Sequence, residues 1–198
     1  GGELTLRTDI IDILKFCREK NIKITLASNA TLIGDKLIEA IEQHKDIASV
    51  VVSIDGPEKV HNFIRGWDKA FQRSIHNVRL MREKGIIVTI VSVITKDNLD
   101  NLKEIVESIK DAKPNYLELE FERMYTKEIV QKTADVLGIE NNLENFPLAI
   151  GNLELPDYTM EKLKVSLDNF ESNAKKAGMA YGYMPFYFKE KIDKYFKR

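Results

Sequence analysis

Residues 22–57, "IKITLASNATLIGDKLIEAIEQHKDIASVVVSIDGP", hold the pattern that decides the fold. The β-branched run at 22–28 predicts a strand, and the apolar spacing at 34–45 predicts an amphipathic helix. The run at 49–55 predicts a second strand, and its uninterrupted valines indicate burial on both faces. A strand, a helix and a strand joined by short connections form a βαβ unit, which implies parallel strands and a right-handed crossover.

The same alternation continues on both sides of this unit. Further helices are predicted over 8–21, 68–85 and 98–113, and further strands over 86–95 and 115–124. The predicted fold is therefore α/β with a parallel sheet, either open and doubly wound or closed as a barrel or partial barrel. In both arrangements ligands bind at the carboxyl ends of the strands, here 27–31, 53–57, 93–98 and 121–125.

The alternation weakens after residue 125. We predict a core over 1–125 and a C-terminal extension of the same domain over 126–198, with helices at 126–139 and 159–178. The aromatic-rich tail at 179–198 is more typical of a packed core or an interface than of a cofactor site.

Composition excludes several classes of partner. Lys and Arg number 30 and Asp and Glu 31, which argues against general nucleic-acid binding. The longest apolar runs are about half of the roughly 18–20 residues that span a bilayer, and no secretory signal pattern is present. We therefore expect no membrane partner and a cytoplasmic location. The lone cysteine, Cys17, falls on the apolar face of a predicted helix, as a buried structural residue would.

Common catalytic and nucleotide-binding motifs are absent. The sequence contains no G-x-G-x-x-G, no G-x-x-x-x-G-K-[ST] and no G-x-S-x-G. His44, His61 and His76 lie on different predicted elements without metal-ligand spacing. Candidate functional residues are instead the polar groups of the predicted strand-end loops.

Two of these loop regions carry residues suited to a charged or polar ligand. Glycines in the opening "GGE" permit close backbone approach, and its glutamate can accept hydrogen bonds from an ammonium group. Ser53 and Asp55 of "SIDGP" point to the same side by strand alternation, and Arg65 suits a carboxylate or a phosphate. Taken singly, each feature is also compatible with an ordinary turn or a solvated charge.

Taken in order, "GGE" with "TLR-D", "ASNAT", "SIDGPEKVHNFIRG" and "GIIVTIVSVITKDN" resemble the radical S-adenosylmethionine (SAM) enzymes. The likeness is to the subfamily that modifies peptides and proteins and that usually carries a C-terminal cysteine-rich extension. It covers roughly residues 1–125 and implies a partial (β/α) barrel, here lacking its first β/α unit, with a C-terminal helical extension.

The resemblance also implies roles for individual residues. The first loop would bind the amino group of SAM, the second its methionine portion, and the third its carboxylate or ribose, while the fifth strand of the family would line the adenosine. Asp55 would face the substrate, and Arg65 would pair with the SAM carboxylate. The implied cofactor-binding residues are Gly1, Gly2, Glu3, Ser28, Asn29, Ser53, Arg65, Ser92 and Val93; Ala30 stands where the family usually has glycine.

The chain departs from the family in one respect that bears on its chemistry. The C-x-x-x-C-x-x-C loop, whose three thiolates hold a 4Fe–4S cluster, is absent from these 198 residues. We therefore expect the chain to be the central portion of a radical SAM enzyme, with cluster ligands outside it and no cluster of its own. The resemblance implies reductive cleavage of SAM to a 5′-deoxyadenosyl radical, an electron donor such as a flavodoxin or a ferredoxin, and a substrate in peptide, protein or cofactor maturation.

Two other functions remain open on the sequence. A radical-SAM-like scaffold without a cluster would serve as a binding or partner-recognition module. An unrelated (β/α) barrel lyase or aldolase would need a lysine at a strand end for a Schiff base, and Lys96 and Lys127 are the nearest candidates.

Overall fold

The fold is a single five-stranded parallel sheet in the order β1-β2-β3-β4-β5, as seen in a computed structural model. The structure describes residues 3–121, 127–138 and 159–184. The strands are β1 (Ile24–Ser28), β2 (Ala48–Ser53), β3 (Ile87–Ile94), β4 (Tyr116–Phe121) and β5 (Tyr181–Met184). Each strand pairs with the next along the chain, which confirms the predicted parallel α/β fold.

Helices connect successive strands. They are α1 (Ile10–Glu19), α2 (Asp35–Gln43), α3 (Glu58–Arg65), α4 (Ala70–Glu83), α5 (Leu102–Ile109), α6 (Lys127–Leu137) and α7 (Met160–Lys176), and three short 3-10 helices lie at Leu4–Leu6, Leu99–Asn101 and Lys110–Ala112. Most predicted helices are present with shorter bounds, and the one predicted over 98–113 divides into α5 and two 3-10 helices.

One face of the sheet forms the core and the other is half-open. In β2, Val50 and Val52 are fully buried, whereas the residues that alternate with them, Ser49, Val51 and Ser53, are only half-buried. The strand registers extend this division across the sheet, and the buried faces of the helices join the core side in one cluster. The predicted burial of β2 on both faces is therefore wrong, because the strand is fully covered on its helix side only.

The C-terminal extension is not only helical. The helices α6 and α7 are present, but the start of the aromatic tail forms β5, which pairs with β4. Tyr181 and Tyr183 pack edge-on against Phe170 of α7, with ring centroids 5.4 and 6.4 Å away. For these residues the predicted packing role of the aromatics is confirmed, while 185–198 lie outside the described residues.

Candidate functional site

The loop that follows β1 is held in place by side chains from two directions. Ser28 Oγ accepts from the backbone N–H of Ala30, while Ser74 and Asn77 of α4 donate to the carbonyls of Asn29 (2.6 Å) and Ala30 (2.7 Å). Ala30 is completely buried with φ at 59°, a conformation that normally favours glycine. This positive φ explains why the family usually has glycine at this position.

Glu3 ties the opening segment to this loop. Its Oε1 accepts from Ser28 Oγ at 2.6 Å, and its Oε2 accepts from the backbone N–H of Asn29 at 2.9 Å. Burial alone would raise the pKa of Glu3, but the hydrogen bonds from Ser28, Asn29 and Thr5 together lower it. The carboxylate is therefore ionised and fixed beside the β1 loop. Gly1 and Gly2 lie outside the described residues.

The loop after β2 contains a buried ion pair. Asp55 is 6% exposed, and its Oδ2 lies 2.6 Å from Nη2 of Arg65, the last residue of α3. Its backbone N–H donates to Nδ1 of His61 at 3.0 Å. The family resemblance implies that Asp55 faces the substrate and Arg65 pairs with SAM, and the structure brings the two side chains into direct contact.

Burial shifts both titratable neighbours of Arg65 toward their neutral forms. Burial raises the pKa of Asp55, against the lowering effects of Arg65 and of the backbone N–H of Val93. The pKa of His61 falls to about 4, chiefly by burial and secondly by the charge of Arg65. His61 is therefore neutral at physiological pH, and its Nδ1 serves as an acceptor.

Asn98 joins the ends of β2 and β3 and was not identified as a site residue from the sequence. Its Nδ2 donates to the carbonyls of Asp55 (2.8 Å) and Val93 (2.7 Å), and its Oδ1 accepts from the N–H of Thr95. The sequence predicts Asn98 as a helix cap. It does precede a 3-10 helix, but its side chain makes no capping bond because both of its ends are bonded to strand-end backbone.

The half-open sheet face collects polar groups from three strands. Ser53 is paired in register with Val91, and Val93 with Glu120, so Ser53, Val93, Glu118 and Glu120 share this face. Burial, and then the charge of Glu120, raise the pKa of Glu118. Ser92 lies on the opposite face, completely buried under the helices, so the structure separates it from Val93.

The residues of this chain do not fit a 4Fe–4S cluster. Such clusters need several thiolates, and the sequence contains one cysteine, Cys17, which is buried in α1. Within 3–121, 127–138 and 159–184, no group of three or more His, Cys, Asp or Glu side chains is arranged to hold a metal ion. No helix in that part of the chain is long and apolar enough to cross a membrane.

The lysines of the aldolase hypothesis gain no support. Lys96 follows β3 but is exposed, whereas a Schiff-base lysine is activated by desolvation or by a neighbouring cation. Lys127 begins α6, and its side chain lies outside the described residues.

Comparison with known families gives a match over most of the chain. The family model of the Radical SAM superfamily matches residues 1–144. The "AdoMet-dependent heme synthase" of Nitratidesulfovibrio vulgaris is 28% identical over 106 residues, which is 53% of this chain and 29% of that protein. The "Antilisterial bacteriocin subtilosin biosynthesis protein AlbA" of Bacillus subtilis is 23% identical over 112 residues, 56% of this chain and 25% of that protein.

Solved structures support the same fold. Streptococcus suis SuiB, crystallised with S-adenosylmethionine, superimposes with a TM-score of 0.67 at 20% identity, covering 92% of this chain and 38% of SuiB. The chain thus spans less than a third of the two curated relatives and less than half of SuiB. At this identity the likeness to SuiB establishes the fold, a partial barrel, and nothing finer.

Proposed function

Because the chain belongs to the radical SAM superfamily, we propose that its strand-end edge is the SAM-binding part of an enzyme that cleaves SAM reductively and abstracts hydrogen from a substrate. The family uses SAM and a 4Fe–4S cluster. One observation carries the proposal: the β1 loop with Glu3, the β2 loop with Arg65 and the end of β3 with Val93 lie at the same edge of one parallel sheet. This is the edge at which parallel α/β folds bind their ligands.

Each part of this edge offers a different group to SAM. The ionised Glu3 suits the amino group, and the guanidinium of Arg65, whose side chain is 35% exposed, suits the carboxylate. Ser53 and Val93 lie on the half-open face of adjacent strands, two register positions apart, and suit the ribose and the adenine. In this proposal Ser28 and Asn29 hold Glu3 in place, because both of its carboxylate oxygens are bonded to them.

The cluster ligands must come from outside these 198 residues, since one buried cysteine cannot supply three thiolates. Anaerobic treatment of the chain with iron and sulfide should therefore give no iron–sulfur chromophore. A stable brown product with bound sulfide would contradict this part of the proposal.

We further propose a peptide as the substrate class and the half-open sheet face as its site. AlbA is named for the biosynthesis of a bacteriocin, and SuiB has been crystallised with its precursor peptide SuiA. Glu118 and Glu120 project from β4 onto this face, and within the described residues neither makes an ion pair with a lysine or an arginine. A cationic peptide segment would complement these two carboxylates.

Titration of the isotopically labelled chain with SAM, followed by NMR, tests the proposed site. We expect shifts in the amides of Ser28, Asn29, Ser53 and Val93, and weaker binding after Glu3→Gln. Glu107→Gln, an exposed acid on α5, is the matched control and should leave the affinity unchanged. Absence of saturable shifts in these amides would overturn the proposal, and SAM-free binding of a partner protein would favour the cluster-less recognition module.

A further inference from the structure

The exposure of the two charged groups at the end of β2 differs sharply. Asp55 is 6% exposed, while the side chain of Arg65 remains 35% exposed. The 2.6 Å contact joins one nitrogen of the guanidinium to one oxygen of the carboxylate. The pair therefore has a buried acidic side and an accessible basic side.

Protein groups hold both backbone polar groups of Asp55, and its carboxylate is buried against Arg65. Its backbone N–H donates to His61, its carbonyl accepts from Asn98, and its carboxylate lies against Arg65, although Oδ2 makes no hydrogen bond of good geometry within the described residues. His61 and Asn98 are themselves almost fully buried, at 1% and 0% exposure. A residue held in this way is poorly placed to contact a substrate directly.

The guanidinium of Arg65 has more hydrogen-bond donors than its contact with Asp55 occupies. A guanidinium carries five N–H donors in a rigid plane, and Asp55 is the only acid within ion-pair distance of Arg65 in the described ranges. A side chain already held on one side loses less conformational freedom when it binds an anion on the other. The fixed guanidinium is therefore pre-organised for a second carboxylate.

We propose that Asp55 is a positioning residue that holds the Arg65 guanidinium in place for the carboxylate of SAM. This rests on the proposed function, and it replaces the substrate-facing role that the family resemblance implies for Asp55. His61 and Asn98 fix the backbone of Asp55, so the position of the guanidinium is set by the ends of β2 and β3 together.

The experiment compares SAM with decarboxylated SAM, which keeps the adenosine, the sulfonium and the amine but lacks the carboxylate. Affinities of the 198-residue chain for both are measured by NMR titration, with wild-type protein and Asp55→Asn. The amide keeps the size of the side chain and its backbone anchors but removes the charge that holds Arg65. We expect Asp55→Asn to weaken SAM binding about tenfold and to change binding of decarboxylated SAM less than twofold.

The two ligands separate positioning from general damage to the site. An equal loss for both ligands, or no loss for SAM, would overturn the proposal even when the wild-type chain binds SAM. Failure of the wild-type chain to bind SAM would instead contradict the proposed function.

A second variant covers the case in which Asp55→Asn does not fold. Arg65→Gln removes the same contact from the exposed side and should likewise weaken only the binding of SAM. In the double variant Asp55→Asn/Arg65→Gln, SAM binding should be no weaker than with Arg65→Gln alone, because both changes act through one guanidinium. Additive losses would show that Asp55 acts independently of Arg65.

Arg65→Lys, which keeps the charge but not the planar fork, should rescue only part of the affinity.

Discussion

Neutral His61 makes the stability of this protein depend on pH. The ring is 1% exposed, its Nδ1 accepts from the backbone N–H of Asp55, and it packs edge-on against Phe71 at 6.1 Å. The charged groups that face it are Asp55, with Oδ2 at 3.8 Å, and Arg65. Burial disfavours the charged imidazolium, and the charge of Arg65 adds to the effect, so the pKa of His61 falls to about 4.

The direction of the effect follows from proton binding in the two states. An unfolded histidine takes up its proton near pH 6.5, whereas folded His61 does so only near pH 4. Its contribution to stability is therefore complete above pH 6.5 and is lost as the pH falls from 6.5 toward 4. Between pH 7 and pH 5 the linkage relation gives a loss of about 2 kcal/mol in the free energy of unfolding.

Urea unfolding at pH 7 and at pH 5, followed by circular dichroism, measures this loss. His61→Asn keeps an acceptor near the position of Nδ1 but cannot titrate, so it should remove about 2 kcal/mol of the pH dependence. The raised pKa of Asp55 acts in the opposite direction, because a folded-state carboxyl that is easily protonated favours folding as the pH falls. His76→Asn, at an exposed position, is the control. Equal pH dependence in wild-type protein and His61→Asn would refute this explanation.

Three further predictions concern stability and electrostatics. Lys113 is exposed with φ at 50°, so Lys113→Gly should raise the free energy of unfolding by about 1 kcal/mol, while Lys113→Ala, measured in the same urea titration, should not. Among the described residues the buried Ser92 hydroxyl has no hydrogen-bond partner, so Ser92→Ala should leave the free energy of unfolding unchanged or raise it by up to about 1 kcal/mol. A clear loss of stability would contradict this. Glu120→Gln removes a neighbouring charge and should lower the pKa of Glu118, as measured by NMR titration of the Glu118 carboxyl carbon. An unchanged pKa would leave burial as the sole cause of the raised value.

The sequence predicts the elements of this fold best where the signal is local. The β1–α2–β2 unit could be predicted because β-branched runs and helical apolar spacing are properties of neighbouring residues. No helix is predicted from the sequence at α3, although Pro57 at its start and Gly66 at its end, with φ at 65°, mark both of its boundaries. That signal was present in the sequence and was missed because the helix is only eight residues long.

The strand β5 was missed for a different reason. It has four residues and contains Gly182, a poor strand former, so nothing local indicates a strand. Its place depends on pairing with β4 and on the packing of Tyr181 and Tyr183 against Phe170 of α7. Such contacts between distant segments are fixed by tertiary packing and leave no pattern in a single segment.

For the candidate site, the sequence predicts which residues are involved but not which partners their side chains bind. The motifs pick out Glu3, Ser28, Asp55 and Arg65. The structure has Ser28 at the end of β1 and Asp55 in the loop after β2, as predicted, whereas Arg65 ends the helix α3 and Glu3 follows no described strand. The hydrogen bond from Ser28 to Glu3, across 25 positions, and the ion pair of Asp55 with Arg65 could not be predicted, because each depends on how two loops meet. The role of Asn98 was missed because its cap-like position offered a sufficient local explanation.

Stability alone explains the Asp55–Arg65 pair poorly. An acid buried with a cation must be stripped of water, and apolar residues of similar size are often as stabilising or more so. The backbone of Asp55 is bonded to Asn98 and His61, but Asp55 Oδ2 and His61 Nε2 make no hydrogen bond within the described residues, which adds to the cost of burying them. What this arrangement provides, and an apolar one would not, is a cation of fixed orientation with one accessible side at the edge where parallel sheets bind ligands.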